Sequence, residues 1–153
     1  MNIFVLDRDP VEAARQQCDQ HVVKMCLETA QMLCTALRHH GVESEYKSSH
    51  INHPCNIWAR ETRSNFLWLC DHGIELCREY TCRYRKMHKS ESVIWTAKWH
   101  SDKVPEGPLT EFAQAMPELY KSECAVSAYR NYYRGEKTSF ATWKRNKPEW
   151  LGG

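Results

Sequence analysis

Apolar and polar positions along this chain repeat at helical spacing. Almost nothing alternates at period two, so the chain reads as mainly α. The strongest signal covers residues 20–39. There Val22, Val23, Met25, Cys26, Leu27, Ala30, Met32, Leu33, Ala36 and Leu37 take up most of the helix circumference. At about 100° per residue, His21, Lys24, Glu28, Gln31 and Thr35 share the narrow sector that is left. A surface helix has the opposite proportions. The pattern therefore predicts a helix buried on most sides, with one polar stripe facing a cleft, a solvent edge or an internal polar network. Asp19 is placed to cap this helix and Gly41 to end it.

The flanking segments are shorter. Met1 to Leu6 is an apolar run that suits either a short buried strand or an extended arm. Asp9 and Pro10 form a helix start, opening a brief helix over 11–17. Residues 42–53 are polar and read as a loop. Pro54 opens a second helical region to about residue 71, with Gly73 as an interruption and a continuation to about 88. Residues 90–100 predict a short helix carrying Trp95 and Trp99. Pro105, Pro108 and Pro117 mark 101–119 as irregular. A last helix is expected over 121–134, stopped by Gly135, before a basic and aromatic tail over 137–153. With 153 residues, no internal repeat and no low-complexity tract, the expectation is a single compact helical domain over 1–153.

Composition narrows the partners. A net charge of +2 and a pI near 8.1 suit a small anionic ligand or local contact with nucleic acid better than a histone-like polyanion binder. Six Trp, seven Tyr and four Phe supply either core or flat surfaces on which bases stack. Of the eight cysteines, those at 18, 26, 34, 70, 77 and 82 fall within helical patterns, and no CxxC pair occurs. They read as free core thiols in a reducing cytosol. Cys18 and His21 make a CxxH with no second half at zinc-finger spacing, so no metal site is expected. No secretory leader and no apolar run of about 18 residues is visible, so the expected location is cytoplasmic with no membrane partner.

The stripe is the leading candidate for chemistry. A carboxylate on a buried helix is a candidate acid or base. The plain alternatives are an i, i+4 salt bridge between Lys24 and Glu28 and a core histidine at His21. Asp19-Gln20-His21, followed seven residues later by Glu28, resembles the pyrimidine-dimer DNA glycosylases of the phage endonuclease V type. Tyr129-Arg130-Asn131-Tyr132-Tyr133 followed by Gly135 is similar to the aromatic and basic stretch near that family's C-terminus. The resemblance implies a small, single, mainly helical domain with Glu28 as catalytic glutamate and His21 beside it. The chain also departs from the family. Asn2 stands where the family has the Thr whose α-amino group is the nucleophile. Leu27 stands for the arginine before the glutamate, and Gln31 for the arginine three residues after it.

Without that amine, a simple hydrolysis remains. Base–deoxyribose cleavage passes through an oxocarbenium-like state that a carboxylate stabilises, or for which it orients a water. Glu28 fits that role. Lys24 would protonate or hydrogen-bond the leaving base or pair with a phosphate, and Gln31 and His21 would hold base edges or sugar. His50 and His53 precede the Pro54 helix, whose start suits a phosphate or is merely capped. Arg60 and Arg63 follow on that region as phosphate candidates. Tyr129, Arg130, Tyr133, Lys137, Trp143 and Lys144 interleave rings with cations, as expected for base stacking or for a core helix with wet cations. Asn2 and Asp7 complete the candidate substrate contacts. Arg78, Arg83, Arg85, Lys86 and Lys89 read as a solvated helix face. The expected function is an N-glycosidase acting on a deoxynucleotide, free or within DNA, with no cofactor. The alternatives are the pyrimidine-dimer glycosylase with lyase action and a non-catalytic nucleic-acid-binding module.

Overall fold

The structure, a computed structural model, describes residues 1–152. It is mainly α, with six helices and no strand among the described residues. Helix α1 (Pro10–Arg15) starts as the sequence signals: the Asp9 carboxylate accepts from the Val11 N–H, and Pro10 opens the first turn. Helix α2 (Asp19–His39) is the central element, packed against α3 (Pro54–Glu61), α4 (Arg63–Tyr84) and α5 (Glu91–Trp99). It ends as expected at Gly41, whose φ of 81° fits the left-handed turn in which the Val42 N–H returns to the Leu37 carbonyl. Its cap is Cys18, not Asp19.

The N-terminal run is an extended arm rather than a strand. Ile3, Phe4, Val5 and Leu6 are buried without forming a ladder. The arm is fixed at both ends by the C-terminal half. Asn2 Nδ2 donates to the Ala115 carbonyl at 2.8 Å, and Arg130 Nε donates to the Leu6 carbonyl at 2.9 Å.

Three boundaries differ from the sequence pattern. The second helical region breaks at Thr62, not Gly73. Thr62 is extended and its hydroxyl caps α4 through the Asn65 N–H, while the Arg63 N–H goes to the Pro105 carbonyl. Gly73 lies unbroken inside α4, at the closest approach of α2 and α5. A Cβ there would stand 2.8 Å from Thr29 Cγ2 and 3.1 Å from Ile94 Cδ1. The last helix, α6 (Ala125–Tyr132), starts later than expected and runs on into a π-turn over Tyr133–Lys137. Gly135 sits inside that turn rather than stopping it, because the Tyr120 ring occupies the space of a side chain.

The expected solvated basic face fails at Arg83. Its side chain is fully buried and pairs with Asp19 and Glu79, each at 3.0 Å. Asp19 is thereby spent on packing: it also accepts from the Thr142 hydroxyl and the Lys144 N–H, pinning the tail to α2. The cysteines are free, with six buried, but Cys82 is exposed, as is Cys124. No described helix is long and apolar enough to cross a membrane.

Candidate functional site

The polar stripe of α2 opens onto a cleft of about 1060 Å³. Lys24, Glu28 and Gln31 form its α2 wall together with Val23 and Leu27. These two apolar residues are 41% and 42% exposed, so α2 is less enclosed than its pattern predicts, and the exposed apolar pair belongs to the cleft. The facing walls are the loop from Glu45 to His50 and the turn His88–Ser90, with Met1 closing one end.

Glu28 holds the centre. Its side chain is only 12% exposed. Oε1 lies 3.1 Å from the α-amino nitrogen of Met1, and Oε2 lies 3.6 Å from Lys24 Nζ, whose side chain remains 66% exposed. The i, i+4 pair is therefore real, but it does not use up the carboxylate. The arm brings a second amine to it from outside the helix. Asn2 anchors that arm: its Oδ1 accepts from the Ile3 N–H and lies 2.8 Å from the Tyr129 hydroxyl.

His21 stands behind this cleft and is not among the residues lining it. Its ring stacks on Phe4 at 4.1 Å, and Nδ1 is 2.6 Å from the Tyr133 hydroxyl. Burial, then the positive charges of Lys137 and Lys24, push its pKa down to about 3, so the imidazole is neutral at physiological pH. Thr35 ends the stripe. Its hydroxyl bonds the Gln31 carbonyl and accepts from the Ser49 N–H, tying the cleft loop to α2.

Of the two loop histidines, His50 lines the cleft, with Nδ1 2.6 Å from the Ser49 hydroxyl. His53 Nδ1 accepts from the Cys55 N–H and so caps α3. Partial burial lowers the His53 pKa; the Met1 amine and His50 act the same way, and Glu28 opposes them. Arg60 and Arg63 are turned to backbone instead, Arg60 to the Ile51 carbonyl and Arg63 to the carbonyls of Val104 and Asp102.

The aromatic and basic C-terminal third divides between core and surface. Tyr129 and Tyr133 are fully buried, and Trp143 donates to the Gln16 carbonyl. Arg130 binds the arm and faces Asp7 at 3.6 Å, which places Asp7 in that contact. Lys137 caps the rings of Tyr132, Phe4 and Phe140, and Lys144 lies over Tyr84. None of these residues lines the Glu28 cleft. The sequence pattern missed Met1, Tyr46, His88 and Ser90 as cleft residues, and Asn56 beneath the loop. Loop residues carry no periodic signal that would have found them. Among the described residues no group of three or more His, Cys, Asp or Glu is arranged to hold a metal.

The helical domain thus sets one shielded carboxylate between two amines at the wall of an open cleft. A family model for pyrimidine dimer DNA glycosylase matches residues 1–92, and the chain belongs to that family. The matched stretch contains every residue lining the cleft, from Met1 to Ser90. No curated protein and no solved structure gives a significant match.

Proposed function

We propose that this chain hydrolyses the bond between base and deoxyribose in a deoxynucleotide, within DNA or as a free monophosphate, with Glu28 as the acting carboxylate. The observation that carries this reading is the placement of Glu28, nearly enclosed yet at the wall of an open cleft. Positive charge builds on the sugar as the base leaves, and a carboxylate held out of water stabilises it or orients the attacking water. Lys24 supplies the departing base with a proton or a hydrogen bond. The exposed pair Val23 and Leu27 offers an apolar face to a planar base, and Gln31 and His50 offer hydrogen-bonding edges. His21 supports from behind, through Phe4, the arm that brings Met1 to Glu28. His53 fixes the start of α3 beside it. Lys137 and Lys144, outside the cleft, are suited to phosphates of a longer substrate.

The test is chromatography of released base after incubation with each deoxynucleoside monophosphate and with undamaged and UV-irradiated duplex DNA. Base release is expected, and Glu28→Gln should lower its rate by at least about a hundredfold. The substrate that works separates monomer from polymer. Release from none of them, or release indifferent to Glu28→Gln, would overturn the reading in favour of a binding module.

One distance favours a second reading, the glycosylase with lyase action. The Met1 amine lies 3.1 Å from Glu28. After giving up a proton, that amine would attack C1′ as the base departs with the bonding electron pair. After the nitrogen loses a second proton, to the departed base, its lone pair would open the sugar by breaking C1′–O4′, with O4′ taking up a proton; the resulting imine would permit strand cleavage by elimination. Borohydride reduction during turnover, followed by intact-mass measurement, should then show a protein–DNA adduct on the N-terminal peptide. Base release without an adduct leaves the simple hydrolysis standing.

A further inference from the structure

The Ser49–His50 turn forms the lip of the Glu28 cleft, and it is held in an unfavourable backbone state. His50 has a φ of 50°, a left-handed conformation that residues with a Cβ rarely adopt. Such a turn persists only where its surroundings fix it. One side chain supplies two of the bonds that fix it. Asn56, on α3, has no solvent exposure, and its amide nitrogen lies 2.7 Å from the His50 carbonyl and 3.0 Å from the Ser49 carbonyl. The same nitrogen is 3.2 Å from Met1 Sδ. A single buried amide therefore joins the lip of the cleft to the residue whose amine contacts Glu28.

The other end of that amide shows what it is there for. Asn56 Oδ1 is buried and has no hydrogen-bond donor. A buried polar atom left unmatched is unfavourable, and an apolar side chain would avoid it. The donors of Asn56, aimed at the turn and at Met1, are what its presence supplies.

We propose that Asn56 is a positioning residue for this site: it locks His50 and Met1 into one unit beside Glu28, and so sets the rate of the chemical step rather than the affinity for substrate. This rests on the glycosylase reading above. Asn65 provides the control. It is equally buried and likewise donates to a carbonyl, that of Trp58 at 2.9 Å, and to the Thr110 hydroxyl at 2.8 Å, but the residues it holds do not line the cleft, whereas Met1, Ser49 and His50 do.

The experiment compares Asn56→Ala and Asn65→Ala by kcat and KM for base release, melting temperature, and hydrogen exchange of the peptide spanning residues 49–53. Both variants should lose stability. Asn56→Ala should lower kcat at least tenfold with KM within about twofold, and should speed exchange at the His53 amide, which bonds the His50 carbonyl. Asn65→Ala should change neither. Equal falls in kcat for the two variants, or an unchanged exchange rate in Asn56→Ala, would overturn the proposal and leave Asn56 an ordinary packing residue. Should Asn56→Ala fail to fold, Asn56→Leu, which keeps the volume and removes the donors, carries the same comparison. If the unmodified protein releases no base, the glycosylase reading fails separately, and exchange alone then decides whether Asn56 holds the turn.

Discussion

Arg83 shows how much one side chain carries here. Its guanidinium is removed from water and faces two carboxylates that are themselves buried, Asp19 and Glu79. It also donates to the Gln17 and Arg15 carbonyls. A planar fork with five donors can satisfy four such acceptors in fixed directions, whereas an ammonium cannot. Replacing such an ion pair by apolar groups can be neutral, but removing one partner leaves uncompensated charge. Arg83→Ala is therefore expected to lower unfolding free energy by roughly 3–5 kcal/mol, measured by urea denaturation. Glu79 keeps a second cation, Arg145, at 3.4 Å, but that side chain is 47% exposed and compensates weakly. Arg78, 68% exposed against Glu75, is the contrast: Arg78→Ala should move stability by no more than about 0.5 kcal/mol. The two arginines stand in one helix five residues apart, and only burial separates their fates.

At the scale of elements, the arrangement turns on how closely α2, α4 and α5 approach at Gly73. Any side chain there meets Thr29 and Ile94 below ordinary contact distance. Gly73→Ala should accordingly destabilise the fold by about 1–3 kcal/mol, despite the better helix propensity of alanine. Thr29→Ser removes the methyl group at 2.8 Å. In the double variant, melting temperature should recover part of the loss, and a purely additive result would show that the contact at Thr29 is not the cause. This glycine also explains what could be read from the sequence. A glycine within a helical pattern signals an interruption, and only the packed neighbours show that it marks a close crossing. The real break at Thr62 carries neither glycine nor proline. It is set by the Arg63 N–H reaching the Pro105 carbonyl, a contact between distant parts of the chain. By contrast, α2, its stop at Gly41 and the start of α1 were legible, because periodicity and caps are local. So was the stretch Lys24, Glu28, Gln31 of the stripe, since three residues on one helix face stay together whatever packs around them. The amine of Met1 and the turn at His50 reach the same cleft only through tertiary folding, and no spacing in the sequence announces that.

For the molecule as a whole, two neutral histidines buried in different places make stability depend on acid. Burial pushes the His72 pKa down to about 4, although its bond to the Pro10 carbonyl opposes the shift, and burial with two nearby lysines pushes His21 down to about 3. Both values lie below the 6.5 of an unfolded histidine. Between about pH 6.5 and those values the unfolded chain binds more protons than the folded one, so stability must fall as pH falls through that window. One proton per histidine is worth about 1.4 kcal/mol per pH unit, so each should cost roughly 2 kcal/mol on going from pH 7 to pH 5. Against a total stability of order 5–15 kcal/mol, that is enough to be seen plainly in urea midpoints. His72 is the cleaner probe. It bridges the Pro10 carbonyl and the Gln17 amide, and does not line the cleft. His72→Gln should lower stability at pH 7, where the neutral ring is well matched, and should flatten the slope between pH 6.5 and 5 by about half. If the slope is unchanged, His72 is not one of the groups that titrate. His21 stays neutral in the folded protein over this range, so its stacking on Phe4 and the contact between Met1 and Glu28 should persist until the chain unfolds. Loss of base release should therefore coincide with loss of the folded fraction in urea at each pH, in His72→Gln as in the unmodified protein.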